Sequence, residues 1–119
     1  MNDPLYHRKL ARALDYQGGL YALSDILERV ADGRMQSFVH NNSWIVTQIS
    51  IFPRRRVLDI VGAVGDLGDC RILHGKILAF ANEMNVDLVA AYGRRGWARD
   101  ADRNGWKIKT ISYLYHKDL

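Results

Sequence analysis

The sequence predicts a mixed α/β (α+β) fold with its elements in the order ααβββαβαβ. Three observations lead to this prediction. The first thirty residues space their apolar side chains as helices do, and the next thirty alternate apolar and polar side chains as strands do. A long helical stretch then leads into a short apolar run typical of a buried strand. Because a strand reached through a helix pairs in parallel, the sheet should combine an antiparallel meander with one parallel β-α-β crossover.

The first two elements are predicted helices. One begins at Asp3-Pro4, where Asp can cap and Pro fits the first helical position, and it stops at Gly18-Gly19. The second is predicted from about Ser24 to Ala31, with Asp25 and Glu28 forming a capping box.

Three predicted strands follow, at Met35–His40, Trp44–Phe52 and Val57–Val64. Their β-branched and aromatic residues favour strands, and Asn41–Ser43 suits a turn. Alternation in the second strand predicts two faces, one with Ile45, Thr47, Ile49 and Ile51, the other with Trp44, Val46, Gln48, Ser50 and Phe52. Arg54-Arg55-Arg56 is interpreted as a solvated hairpin tip that discourages edge pairing.

The second half of the chain begins with a glycine-punctuated loop, Gly62–Gly68, and a helix of about Asp69–Asn85. A buried strand at Val86–Tyr92, a polar helix at Arg94–Asn104 and a last strand at Trp106–His116 complete the order. The predicted buried side of the long helix comprises Ile72, Leu73, Lys76, Ile77, Phe80, Ala81 and Met84.

Length and composition limit the class of protein. The chain has 119 residues, 48% hydrophobic and 25% charged, which predicts one globular domain over residues 1–119 and excludes a disordered chain. No apolar run approaches the roughly 20 residues that span a bilayer, and the N-terminus lacks a signal-peptide pattern. The single cysteine, Cys70, excludes an internal disulfide and a Cys-rich metal site. We expect a reduced, intracellular or particle-enclosed protein.

The basic surplus is confined to one part of the chain. The net charge is +4, and residues 92–119 supply all of it, with seven basic and three acidic side chains. Such asymmetry indicates an anionic partner for the C-terminal part, although an ordinary solvated surface is the alternative.

The predicted helix at Arg94–Asn104 carries the candidate partner-binding residues, which are Arg94, Arg95, Trp97, Arg99 and Arg103, and the spacing of Arg95, Arg99 and Arg103 puts these three on one face. Arginines four positions apart share a face, and Arg and Trp are enriched at binding hot spots. The alternatives are that nearby aspartates neutralise the arginines and that Trp97 is core. Nucleic-acid binding through this face and Lys107/Lys109 is a weaker hypothesis, which predicts steep salt dependence.

Several segments resemble a known fold family. Gly93-Arg94-Arg95-Gly96-Trp97-Ala98-Arg99 is the most specific, and Ala31–Arg34, Val57–Ile60 and Phe80–Asn85 support it. With the order of elements, they resemble the GNAT-like N-acetyltransferase fold and, more narrowly, small GNAT-like proteins encoded near the virion structural genes of tailed bacteriophages. The resemblance implies a phage protein located in the virion or the host cytoplasm, whose partner is another virion protein.

The resemblance also implies where acetyl-CoA would bind. Family members hold its pyrophosphate on backbone N–H groups at the start of the long helix. If the protein is an enzyme, the cofactor-binding residues are Gly65, Gly68, Arg71 and Tyr92. No basic residue leads this loop, however, and Asp66 and Asp69 add negative charge, so we interpret the loop as a helix cap and expect no cofactor.

Other catalytic patterns are weak. Asp59 and Tyr92 have no partner that the sequence identifies, and Cys70 and His74 share a helix face without an orienting group. The four histidines lack metal-ligand spacing, so we predict neither a catalytic residue nor a metal site.

Two functional hypotheses follow. The preferred one is a degenerate, non-enzymatic GNAT-like phage protein that acts as a structural or assembly component through protein–protein interaction. The alternative is an active acetyl-CoA-dependent N-acetyltransferase acting on a host or phage amine.

Overall fold

The computed structural model describes residues 4–16 and 20–91. Within them lie three helices and four strands: α1 (Leu5–Tyr16), α2 (Leu23–Ala31), β1 (Gln36–His40), β2 (Ser43–Ile51), β3 (Arg56–Val64), α3 (Leu67–Glu83) and β4 (Leu88–Ala91). The predicted polar helix and last strand lie outside the described residues. None of the helices in the described part is long and apolar enough to cross a membrane.

The four strands form one mixed sheet in the order β1-β2-β3-β4. The first three are antiparallel neighbours, and β4 pairs in parallel with β3 from Val57 opposite Leu88 to Ile60 opposite Ala91. Helix α3 makes the crossover between these two parallel strands. The predicted mixed α/β fold, with its meander and single crossover, is confirmed for the described elements.

Alternation along β2 divides the core into two layers. Trp44 and Val46 pack with α1 and α2, whereas Ile45 and Ile49 pack with α3. The two faces predicted for this strand are therefore confirmed. Each fully buried apolar side chain contributes about 1.5–3 kcal/mol. The indole N–H of Trp44 donates to Ser37 Oγ at 2.7 Å, so its one polar atom is satisfied.

A bulge bends β3 near its middle. Thr47 pairs with Ile60 and Val46 with Gly62, which leaves Val61 as the extra residue. A Cβ atom at Gly62 would lie 2.8 Å from Leu10 Cδ1, so the glycine allows α1 to pack closely on this half of the strand.

Two helix starts differ from the prediction. Ala22 is the N-cap of α2, and Asp25 returns a hydrogen bond by accepting from the Ala22 N–H at 2.8 Å. The predicted Asp25–Glu28 capping box is wrong, since Asp25 occupies the third helical position instead of the cap. Helix α3 starts at Leu67, two residues before the predicted start.

The buried side of α3 also differs from the prediction. Ile72 and Met84 are 49% and 40% exposed, and Lys76 is exposed as well. The helix buries Cys70, Leu73, Ile77 and Ala81. Apolar residues occur on several sides of this helix, so their spacing does not specify which side is buried. Contact with the sheet determines that side.

Strand β4 is less buried than the continuous apolar run predicted. Leu88 is 40% exposed and Ala91 is exposed, whereas Val89 packs in the α3 layer. Helix α1 contacts β2 and β3, and no significant contact with β4 is seen for α1 or α2 among the described residues. One face of β4 therefore lacks a covering layer from the described helices.

Candidate functional site at the start of helix α3

The turn between β3 and α3 consists of Gly65 and Asp66 alone. The predicted loop Gly62–Gly68 is thus too long, since Gly62 belongs to β3 and Gly68 to α3. Gly65 has φ +124°, and a Cβ atom there would lie 2.6 Å from Ser43 Cα. Both the backbone conformation and the space require glycine at this position.

Asp66 caps helix α3. Its Oδ1 accepts the Asp69 backbone N–H at 2.8 Å, and its own N–H donates to Ser43 Oγ at 3.2 Å. The carboxylate also lies where the helix dipole favours negative charge. The interpretation of this segment as a helix cap is confirmed for Asp66.

Asp69 has a different role from the predicted one. Its carboxylate accepts hydrogen bonds from Asn41 Nδ2 and Ser43 Oγ, both at 3.1 Å, and lies 3.8 Å from His40 Nε2. These three residues belong to the β1–β2 hairpin, whose turn contains Asn41 at φ 52°. Asp69 therefore ties the first turn of α3 to this hairpin and does not cap the helix.

The hydrogen bonds determine the protonation of Asp69. Desolvation raises its pKa, but interactions with Asp66, Asn41 and Ser43, and then the charge of His40, lower the pKa by more. The net effect is a pKa below the ordinary value, so the group carries a negative charge at neutral pH.

Two N–H groups of the first turn remain available. Leu67 and Gly68 are exposed, and their backbone N–H groups have no acceptor among residues 4–16 and 20–91. A Cβ atom at Gly68 would meet Asp66 Oδ1 at 3.5 Å, an ordinary contact, so space does not demand glycine here.

The charge of this turn is acidic. Residues 62–70 include two carboxylates and no basic side chain. Arg71 is the first basic residue on the helix, and it is exposed but already engaged in an interaction within the molecule. Asp66 Oδ1 and Ser43 Oγ already accept the N–H groups of Asp69 and Asp66, so these two donors of the turn are not open to a pyrophosphate.

The surroundings of Cys70 disfavour a reactive pair between its thiol and the imidazole of His74. Cys70 is buried, and its thiol pKa is raised by desolvation and then by the charges of Asp66 and Asp69. Burial lowers the pKa of His74. The nucleophilic thiolate is therefore disfavoured, since a reactive cysteine needs cationic surroundings and exposure.

The Asp59 carboxylate is hydrogen-bonded to a residue of the neighbouring strand β2. Its Oδ2 accepts a hydrogen bond from Ser50 Oγ at 2.7 Å, and both side chains are half-buried. Among the described residues, no group of three or more His, Cys, Asp or Glu side chains could hold a metal ion.

The remaining predicted site residues lie outside the described part of the chain. They are Tyr92, from the cofactor set, and Arg94, Arg95, Trp97, Arg99 and Arg103, from the partner-binding set. Of the cofactor set, Gly65, Gly68 and Arg71 are brought together around the start of α3.

The sequence did not identify Ser43, which is the centre of this site. Its hydroxyl accepts from the Asp66 N–H and donates to Asp69, although 23 and 26 positions separate it from these residues. The turn composition of Asn41–Ser43 indicated only a hairpin, and no local pattern points across such a separation.

Comparison with solved structures identifies the fold. An acetyltransferase from Trypanosoma brucei aligns with a TM-score of 0.62 at 16% identity, covering 95% of this chain and 94% of its own. The chain has a GNAT-like fold. A structure described as a probable acetyltransferase aligns at 0.65 and 9% identity, covering 97% of this chain and 90% of its own.

A protein from Bacillus halodurans, studied as a tetramutant, aligns with a TM-score of 0.68 at 13% identity and covers 96% of this chain and 91% of its own. At these identities the similarity establishes the fold alone. No protein-family model and no curated protein matches the sequence.

Proposed function

We propose that this protein is a GNAT-like fold that does not transfer acetyl groups and acts as an interaction component of a tailed-bacteriophage particle or of its assembly. The observation that supports the non-enzymatic part is the start of α3. There the Asp66 carboxylate accepts the Asp69 N–H, and Ser43 accepts the Asp66 N–H.

Electrostatics supports the same proposal. A pyrophosphate beside Asp66 and Asp69 would meet two like charges, each repelling it by roughly 1 kcal/mol in a partly screened site. Asp69 is held in its charged form by its hydrogen bonds. The Asp66 and Asp69 N–H groups and both carboxylates are thus engaged in hydrogen bonds within the protein.

Calorimetry with acetyl-CoA and with CoA tests the proposal. We expect no heat of binding for the unchanged protein at ligand concentrations up to about 1 mM, and micromolar binding contradicts the proposal. The double variant Asp66→Ser/Asp69→Asn keeps a capping side chain but removes both charges. A gain of binding in this variant identifies the carboxylates as the obstacle.

The interaction role rests on the arginine-rich segment predicted at Arg94–Arg103. We propose other virion proteins as its partners, with the particle or the host cytoplasm as its location. Mass spectrometry of purified particles and assembly intermediates of the encoding phage should detect the chain. Absence from both contradicts the virion role, and the variant Arg95→Glu/Arg99→Glu should reduce incorporation.

A second candidate function is acetyl-CoA-dependent N-acetylation of a host or phage amine. The open N–H groups of Leu67 and Gly68 favour it, because they could bind a phosphate at the helix N-terminus. In that case replacing Gly68 with a bulky residue abolishes turnover. A broad amine panel with acetyl-CoA that gives no turnover with the unchanged protein counts against this function.

A further inference from the structure

The end of the β2–β3 hairpin exposes an unusual amount of apolar surface. Ile51 is 74% exposed and Phe52 is 56% exposed. An open, shallow groove of about 460 Å³ adjoins Phe52, and it is lined by Phe52, Pro53, Arg54, Arg55 and Val57. We call residues 51–57 the hairpin end. Exposed apolar side chains that lie together around a groove are characteristic of binding surfaces.

The same surface is strongly basic. Arg54 and Arg55 are exposed, and neither forms an ion pair with any residue of the described chain. Asp87 accepts the backbone N–H of Arg56, the residue that follows them, at 2.9 Å. The hairpin end therefore presents apolar side chains beside two arginines that no acidic side chain of the described residues pairs with.

Hydrogen bonds hold the hairpin end in one shape. The Phe52 N–H donates to the Arg55 carbonyl at 2.8 Å and closes the turn, and the Asp87 N–H donates to the Arg56 carbonyl at 3.0 Å. Together with the Asp87 side-chain bond, these contacts brace the start of β3. A surface that is already ordered loses little conformational entropy on binding.

We infer that the hairpin end is a docking surface for an acidic protein segment that also carries apolar side chains. Carboxylates of the segment would pair with Arg54 and Arg55, while an apolar side chain would enter the groove against Phe52 and Val57. Charge complementarity selects the acidic partner, and Arg binds carboxylates in bidentate fashion.

A protein segment suits this surface better than an anionic bilayer. Val57 lines the groove although it is only 6% exposed, so the apolar floor of the groove is recessed. A flat bilayer does not reach a recessed floor, whereas a single side chain of an extended segment can enter it. This inference does not rest on the proposed function, because the start of α3 lies at the other end of β3, roughly 26 Å away along nine residues.

Fluorescence anisotropy with three labelled ten-residue peptides tests the inference. One peptide alternates Asp or Glu with Leu or Phe, the second replaces its apolar residues by Ser, and the third replaces its acidic residues by Lys. We expect the first to bind saturably and about tenfold more tightly than either of the others. Vesicles of phosphatidylserine and phosphatidylcholine provide the lipid comparison.

Variants locate the binding on the protein. Arg54→Glu/Arg55→Glu should weaken binding of the first peptide about tenfold, and Phe52→Ser about fivefold. Lys76→Glu, a charge reversal at another exposed residue, on α3, is the control and should change affinity less than about twofold. Thermal melts check folding, and Arg54→Gln/Arg55→Gln replaces the charge reversal if that variant is destabilised.

Four results overturn the inference. They are equal binding of the Ser-containing peptide, no binding of any peptide, binding of the vesicles but of no peptide, and equal losses in the Lys76 and Arg54/Arg55 variants. The calorimetry with acetyl-CoA is unaffected by any of them, so failure here is distinct from failure of the proposed function.

Discussion

The two ends of strand β3 differ in whether their polar side chains are bonded to other described residues. At its C-terminal end, Asp66, Asp69 and Ser43 satisfy one another and anchor helix α3 to the β1–β2 hairpin. At its N-terminal end, Arg54 and Arg55 have no ion-pair partner in the described chain, and Phe52 is largely exposed. Polar groups used internally contribute to stability, whereas those left open are available to a partner. The end at which the family resemblance places a cofactor therefore carries the hydrogen bonds that anchor α3 to the β1–β2 hairpin.

The largest loss of stability is expected for Gly65→Val. The side chain would meet Ser43 and force a β-branched residue to φ +124°, so we expect a loss of about 3 kcal/mol in the free energy of unfolding. Urea denaturation measures it. Gly75→Ala is the control, because nothing lies within 4 Å of its Cβ position, and it should stabilise the helix by about 0.5–1 kcal/mol. Equal effects would show that Gly65 is not required.

The next largest effect is expected for Ser43→Ala. Ser43 is 1% exposed, and the change removes the acceptor of the Asp66 N–H together with a donor to Asp69. Loss of these buried contacts should cost about 1–3 kcal/mol in urea denaturation. Ser50→Ala, at a half-buried serine with one hydrogen bond to Asp59, should cost less. A Ser43 variant as stable as the unchanged protein would contradict the internal role of this end.

A smaller effect is expected for Asp66→Ala. The N-cap acceptor of the Asp69 N–H disappears, and α3 should lose about 1 kcal/mol of stability. Asp66→Ser supplies another capping oxygen and should restore most of it. Thermal denaturation followed by circular dichroism distinguishes the two variants. Identical melting of both variants, below that of the unchanged protein, would mean that charge and not capping matters.

The pH dependence of stability should reveal the contribution of the ionised Asp69 carboxylate. Because its pKa is lower in the folded state than the ordinary 3.8, its contribution to stability is fully present above about pH 3.8. That contribution is lost as the pH falls through the lower, folded-state pKa. Urea denaturation at several pH values between 7 and 2 measures this. Below pH 4, the free energy of unfolding should fall less steeply with pH for Asp69→Asn than for the unchanged protein. The same slope below pH 4 for Asp69→Asn and for the unchanged protein would contradict this contribution of Asp69.

The smallest expected effect lies at the opposite end of β3. Arg54→Ser/Arg55→Ser removes two charges that make no ion pair within the described residues, so the free energy of unfolding should change by less than about 0.5 kcal/mol. Urea denaturation of this variant and of Ser43→Ala under the same conditions makes the comparison direct. A loss as large as that of Ser43→Ala would show that the hairpin end is structural too.

Local patterns predicted much of the fold. The alternation of Trp44, Ile45 and Val46 identified both faces of β2, and the glycines of residues 62–68 indicated a loop before α3, although a longer one than the two-residue turn observed. These signals depend on residues within a few positions of one another. Periodicity and capping are therefore visible in the sequence itself.

Other features needed contacts between distant parts of the chain. The sequence placed Asp69 in the cap, whereas the hairpin residues Asn41 and Ser43 bind it. Ile72 was expected inside and is 49% exposed, because the sheet contacts another side of α3. A helix with apolar residues on several sides does not specify which side packs.

The sequence by itself determined the order of the described elements, the alternation of the strands and the acidic character of the turn before α3. Only the tertiary structure decided how Asp66 and Asp69 divide their roles, which side of α3 is buried, and that Phe52 remains exposed. The reason is that spacing and capping act between neighbours in the chain. Hydrogen bonds and packing between hairpin and helix arise only when the sheet brings residues more than twenty positions apart into contact.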